Sequence, residues 1–139
     1  MGRINLKGVI VGGLVAGLVL NVVDYVMWGI VFAEDFEAAL QAMGRPPSES
    51  LIPLWIVLDF LYGIALVYLY AAMRPRFGAG AGTALRAGLI AWVLVGLFHT
   101  IGEAPLGFLP MRLYVVGTLL GLILFPVATV AGAYFYREP

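Results

Sequence analysis

The chain has no cysteine, one histidine and very little charge. Without cysteine there are no disulfides, thiolate metal sites, redox pairs or lipid-modified cysteines. A single histidine excludes a bis-histidine haem within one chain. Eight basic and eight acidic residues balance to zero, and without a surplus of Lys and Arg on one face nucleic acid is not expected as a partner. Signatures of catalysis are also missing: there is no Ser/His/Asp arrangement, no phosphate-cradling loop with its lysine and no metalloprotease helix, so the chain reads as a non-enzyme. The glycine-rich stretch RPRFGAGAGTALR, from Arg74 to Arg86, lacks the lysine of a phosphate loop and follows no strand. It reads as a flexible cytoplasmic turn.

What remains is apolar. Of 139 residues, 63% are hydrophobic and 12% charged, against about 45–50% and about 25% in a soluble domain. A spanning helix uses about 20 apolar residues, and four such runs are present, at about 8–33, 51–73, 84–102 and 112–136. The first is too long for a signal peptide, whose apolar core is roughly 7–15 residues. None alternates as a barrel strand would. The expected fold is therefore all-α, a single polytopic domain over residues 1–139 with four transmembrane helices. Thr83 is the expected N-cap of the third span. Arg3, Lys7, Arg74, Arg76, Arg86 and Arg137 fall on the side of the termini, and only Arg45 and Arg112 opposite. This asymmetry places both termini in the cytoplasm. Tyr68, Tyr70, Tyr134 and Tyr136 near inner boundaries, and Trp55 and Tyr114 near outer ones, read as interfacial anchors.

In the first external connection Phe36, Ala39, Leu40 and Met43 recur at helical spacing, which predicts a short amphipathic helix over about 35–43 lying on the outer interface. GLVAG (Gly13–Gly17) and GLIAW (Gly88–Trp92), with Tyr68-x-Tyr70 and Tyr134-x-Tyr136, give the two halves a weak likeness, that of a 2+2 parallel repeat.

Small residues mark the helix faces. Gly13, Gly17, Asn21, Asp24 and Trp28 form one stripe in span one; Gly88, Trp92, Gly96, His99 and Glu103 form one in span three; Gly117 and Gly121 begin one in span four. Such stripes let helix backbones approach closely in lipid. Pro126 interrupts span four, frees the Leu122 carbonyl and predicts a kink there.

Asp24, Asp59 and His99 fall at one depth, roughly 4–8 Å outward of the bilayer centre at 1.5 Å per residue. Ionisable groups in hydrocarbon are costly unless paired or hydrated, so the three are expected to face one another, with Asn21, Thr100 and Glu103 extending the network. Three chemistries suit such a cluster. The first is a hydrogen-bonded network that holds helices in register. The second is a path for protons or small cations. The third is a site where one histidine holds a cofactor or metal. No cofactor or metal is expected under the first two.

The segments GLVAGLVLNVVD, YAAMRPRFGAG and AGAYFYREP together resemble a group of short bacterial four-span membrane proteins without assigned function. The resemblance implies a four-helix architecture in a bacterial inner membrane, and no activity. Since four narrow seams in 139 residues enclose little space, the favoured function is association in the lipid bilayer, with itself or with other membrane subunits. The alternative is an oligomeric channel or transporter built on Asp24, Asp59 and His99.

Overall fold

A computed structural model describes residues 3–138; Met1, Gly2 and Pro139, the ends of the expected 1–139 domain, lie outside the described residues. Helices α1 (Leu6–Val26), α2 (Ala33–Ala42), α3 (Ile52–Phe77), α4 (Ala81–Ala91), α5 (Phe98–Glu103) and α6 (Met111–Phe135) are joined by short turns, with no strand among the described residues. Two π-helical turns, Met27–Val31 and Trp92–Leu97, extend α1 and link α4 to α5. Among the described residues, four continuous helical stretches are long and apolar enough to cross a membrane: Leu6–Val31, Ser48–Phe77, Ala81–Leu106 and Met111–Phe135. Helix α2 is the short amphipathic element, with Ala39 and Leu40 buried.

Two local expectations change at the hairpin between α3 and α4. The expected flexible turn is mostly helix, because α3 runs through Arg74, Pro75 and Arg76 to Phe77. Proline at 75 removes only its own donor, and the next turn closes when Gly78 N donates to the Arg74 carbonyl at 2.8 Å. Gly78 (φ +81°) and Gly80 (φ +117°) then reverse the chain in a conformation that favours glycine. Because α4 already starts at Ala81, its N-cap is Gly80. Thr83 therefore lies in the first turn and donates its hydroxyl back to the Gly78 carbonyl at 2.7 Å.

The four long helices alternate in direction and form a ring in the order α1, α3, α4, α6, with α3 and α6 also touching across the middle. The packing is made by backbone. A Cβ at Gly12 would stand 2.5 Å from the Gly132 carbonyl oxygen, one at Gly13 2.5 Å from Ile64 Cα, and one at Gly17 2.7 Å from Phe60 Cα. A Cβ at Gly63 would overlap the Gly13 carbonyl oxygen and the Gly17 nitrogen. Ala16, Val67, Ala84, Ala87 and Ala128 are fully buried between the helices. With no hydrophobic force drawing helices together in lipid, such close approach supplies the dispersion contact that holds them.

The six glycines expected in seams divide by what they meet. Gly13 and Gly17 lie against α3, and Gly88 lies against the backbone of Pro126. Gly117 and Gly121 make room for the rings of Trp28 and Trp92. Gly96 faces the Trp92 ring of its own stretch and lies in no seam. In each half the glycine motif of the odd span packs on the helix that follows it. Pro126 is buried within an α6 that continues past it.

The end of the bundle that carries both termini is knotted by side chains. Arg74 lies between the rings of Tyr70 and Tyr136, 5.9 and 5.2 Å from their centroids, and 3.3 Å from Glu138. Asn5 caps α1 by accepting from Gly8 N, and its amide donates to the Arg137 carbonyl at 2.7 Å. Tyr70 and Tyr136 are therefore buried around a cation, a correction to their reading as interfacial anchors, whereas Tyr68 and Tyr134 are exposed. Tyr114 is also buried.

Candidate functional site

Asp24 enters from α1 and Asp59 from α3. Side chains on a helix lean toward its N-terminus, and in an antiparallel pair that lean carries the two carboxyl groups toward each other. Both line the same small cavity. One turn away, the Asn21 amide donates to the Gly17 carbonyl at 3.0 Å and to the Ile56 carbonyl of α3 at 3.3 Å. The stripe Gly13, Gly17, Asn21, Asp24 thus faces α3 along its whole length.

Beside the two carboxyls lies a cavity of about 120 Å³, walled by Trp28, Tyr62 and Phe125 and by Leu20 and Leu124, with Gly117 and Gly121 providing the space. One water needs roughly 10–15 Å³ of such space, so there is room for water. The Tyr62 and Phe125 rings meet edge to face, 6.0 Å apart. Toward the termini the space stops, because Ala16, Leu66, Val67 and Ala128 are packed shut around the Gly12–Gly132 contact. The arrangement can hold a proton, a hydrated small cation or water in a dead-ended recess.

His99 does not join this pair, which corrects the expectation of a three-way cluster. Its Nε2 lies 2.7 Å from Glu103 Oε2, and 68% of its side chain is exposed. Glu103 Oε1 accepts from the Tyr114 hydroxyl at 2.9 Å, and Thr118 donates to Thr100 at 2.9 Å. Thr100 and Glu103 therefore serve the contact of this segment with α6, away from Asp24 and Asp59. The cause is the π turn at Trp92–Leu97. One residue added to a helical turn rotates everything beyond it by about 100°, so a stripe drawn at 3.6 residues per turn from Gly88 no longer predicts where His99 points.

Two features of the site are absent from the expectations. Trp92 Nε1 donates to the Thr118 carbonyl at 2.8 Å, so both tryptophans of the π turns brace α6, at Gly117 and at Gly121. The only sequence signal was the Trp at 28 and 92 on otherwise small-residue stripes. Tyr62 was not singled out, because an aromatic in an apolar run carries no sign of facing a carboxyl pair. Among the described residues no three His, Asp or Glu side chains of one chain converge as a metal site.

No protein-family model matches the chain, and no solved structure matches it. Among curated proteins the chain is similar to Aquaporin Z of Brucella melitensis, 28% identical over 138 aligned residues that take in 82% of this chain and 60% of the relative. The chain thus spans about three fifths of the length of that relative. What the likeness and the four apolar helices support together is a small membrane-spanning helical protein.

Proposed function

We propose that the protein works by association within the membrane, as a homo-oligomer or as a subunit of a larger membrane complex, with both termini on the cytoplasmic side of a bacterial inner membrane. The observation that carries this reading is the His99–Glu103 pair. His99 lies about 8 Å and Glu103 about 14 Å from the middle of their spanning stretch at 1.5 Å per residue, and the imidazole is 68% exposed on the surface of the single chain. An ionisable side chain at that depth is costly against lipid and is ordinarily covered by protein or water. A neighbouring chain supplies that cover. The absence of cysteine makes the test clean. Gly102→Cys, one turn from His99 on the same face and with open space around it, is expected to cross-link into a discrete larger species in native membranes. Ile123→Cys, exposed on α6, is expected to cross-link far less. Equal cross-linking at both, or at neither, overturns the reading.

A second reading is favoured by the recess at Asp24 and Asp59 and by the likeness to an aquaporin: a path for protons, small cations or water. Since the recess is closed toward the termini, such a path runs between chains and not through the middle of one. Lining polarity and charge would set its selectivity. In liposomes Asp59→Asn is expected to abolish proton flux and leave assembly intact; unchanged flux removes this reading.

A further inference from the structure

We infer that His99 and Glu103 form half of a divalent metal site of the zinc class, completed by the same two residues of a second copy of this chain; the inference rests on the association proposed above. Each chain offers two ligands on one helical face, at i and i+4, the spacing that lets two side chains of a helix grip one ion. A structural zinc site is tetrahedral and takes four protein ligands from nitrogen, sulfur or carboxylate oxygen. Two ligands per chain therefore call for two chains, and a twofold contact, in which the same patch meets itself, supplies the second pair automatically. No further His, Asp or Glu side chain of the same chain joins this pair among the described residues.

Three details suit the pair to this role. His99 Nε2 and Glu103 Oε2 are 2.7 Å apart. Bound to one tetrahedral ion at about 2.0–2.2 Å each, they would stand about 3.3 Å apart, so an ion enters by an opening of about 0.6 Å with no change of helix. The other carboxylate oxygen, Oε1, is already held by the Tyr114 hydroxyl at 2.9 Å. That fixes Glu103 as an outer-shell partner fixes a metal ligand. Finally, two glutamates match the charge of one doubly charged cation, which suits apolar surroundings better than two uncompensated carboxylates do, although Arg45 lines the groove beside Glu103.

The test is zinc binding by equilibrium dialysis of the full chain in lipid nanodiscs, read beside its oligomeric state with and without chelator. Expected is one zinc per two chains, with chelator lowering the dimer fraction and zinc restoring it. Cobalt in place of zinc should give the visible absorption of tetrahedral coordination. His99→Ala should bind at least tenfold more weakly. Because His99 is exposed, this change leaves the packed seams untouched; Tyr114→Phe, which keeps the ring, should weaken binding about tenfold through the outer shell. One zinc per chain, or wild-type binding by His99→Ala, overturns the inference. A chain that associates fully without binding zinc removes the metal site and leaves association standing, whereas a chain that stays single with and without zinc removes both.

Discussion

The half of the bundle near the termini and the half beyond its middle solve the same packing problem in opposite ways. Near the termini, glycines bring backbones into direct contact at Gly12–Gly132 and Gly63–Gly13, and the core behind them is closed. In the far half the helices separate, two π turns interrupt the spans, and tryptophans, carboxyl groups and a cavity fill the space. One half is a weld made of dispersion contacts and the other a largely apolar recess that holds two carboxyl groups. The difference teaches that the closest packing and the two facing carboxyl groups are held apart in this chain. The weld anchors the helices so that the recess can carry costly groups and wide turns, both of which are frequent where a membrane helix does more than pack.

The comparison is most severely challenged at Gly63. A methyl group there has only backbone to displace, so Gly63→Ala is expected to cost about 3 kcal/mol or more, at or beyond the usual range for overpacking. Unfolding in mixed detergent micelles measures it, and a mild effect would mean the weld is looser than described. Next comes the carboxyl pair. Asp59→Leu strands Asp24 without its partner and should cost about 1–3 kcal/mol, whereas Asp59→Asn still hydrogen-bonds and should cost less than about 1 kcal/mol. The same unfolding assay compares them, and equal losses would show that the pair does not matter as a hydrogen bond. Trp92→Phe keeps most of the ring against Gly121 but loses the bond to Thr118, with an expected loss of about 1 kcal/mol. The smallest effect sharpens the contrast from the other side. Gly82, in α4, has nothing within 4 Å of an added Cβ, so Gly82→Ala should be neutral or gain about 0.5–1 kcal/mol through helix propensity.

Composition and run length made the four helices and α2 legible, because the cost of exposing backbone polar groups in lipid leaves few alternatives to a helix. Depth was less legible: Gly17 lies against Phe60 and the Asp59 carbonyl and Asn21 against Ile56, so Asp24 stands further from the termini than Asp59 and the expected common level does not hold for their backbones. Direction around the axis was legible only where the helix is regular. Asp24 lies before the π turn of its span, and its stripe meets α3 as the spacing predicts. His99 lies beyond the π turn of its span, and its face is rotated away. Nothing in Trp92–Leu97 announces a wider turn, since its apolar residues suit either geometry. The enclosure of Arg74 was not legible for a related reason. Charge next to a span end ordinarily marks the interface, and only the tail folding back through Tyr136 and Glu138 encloses it.

The central claim is that this chain works in company, and native mass spectrometry of the protein gently extracted from its own membrane tests it most directly. The account predicts a species heavier than one chain, made of copies of the chain or including another membrane protein, that falls apart when His99 and Glu103 are both replaced by leucine. A lone chain of 14.9 kDa under conditions that preserve other membrane assemblies would contradict it.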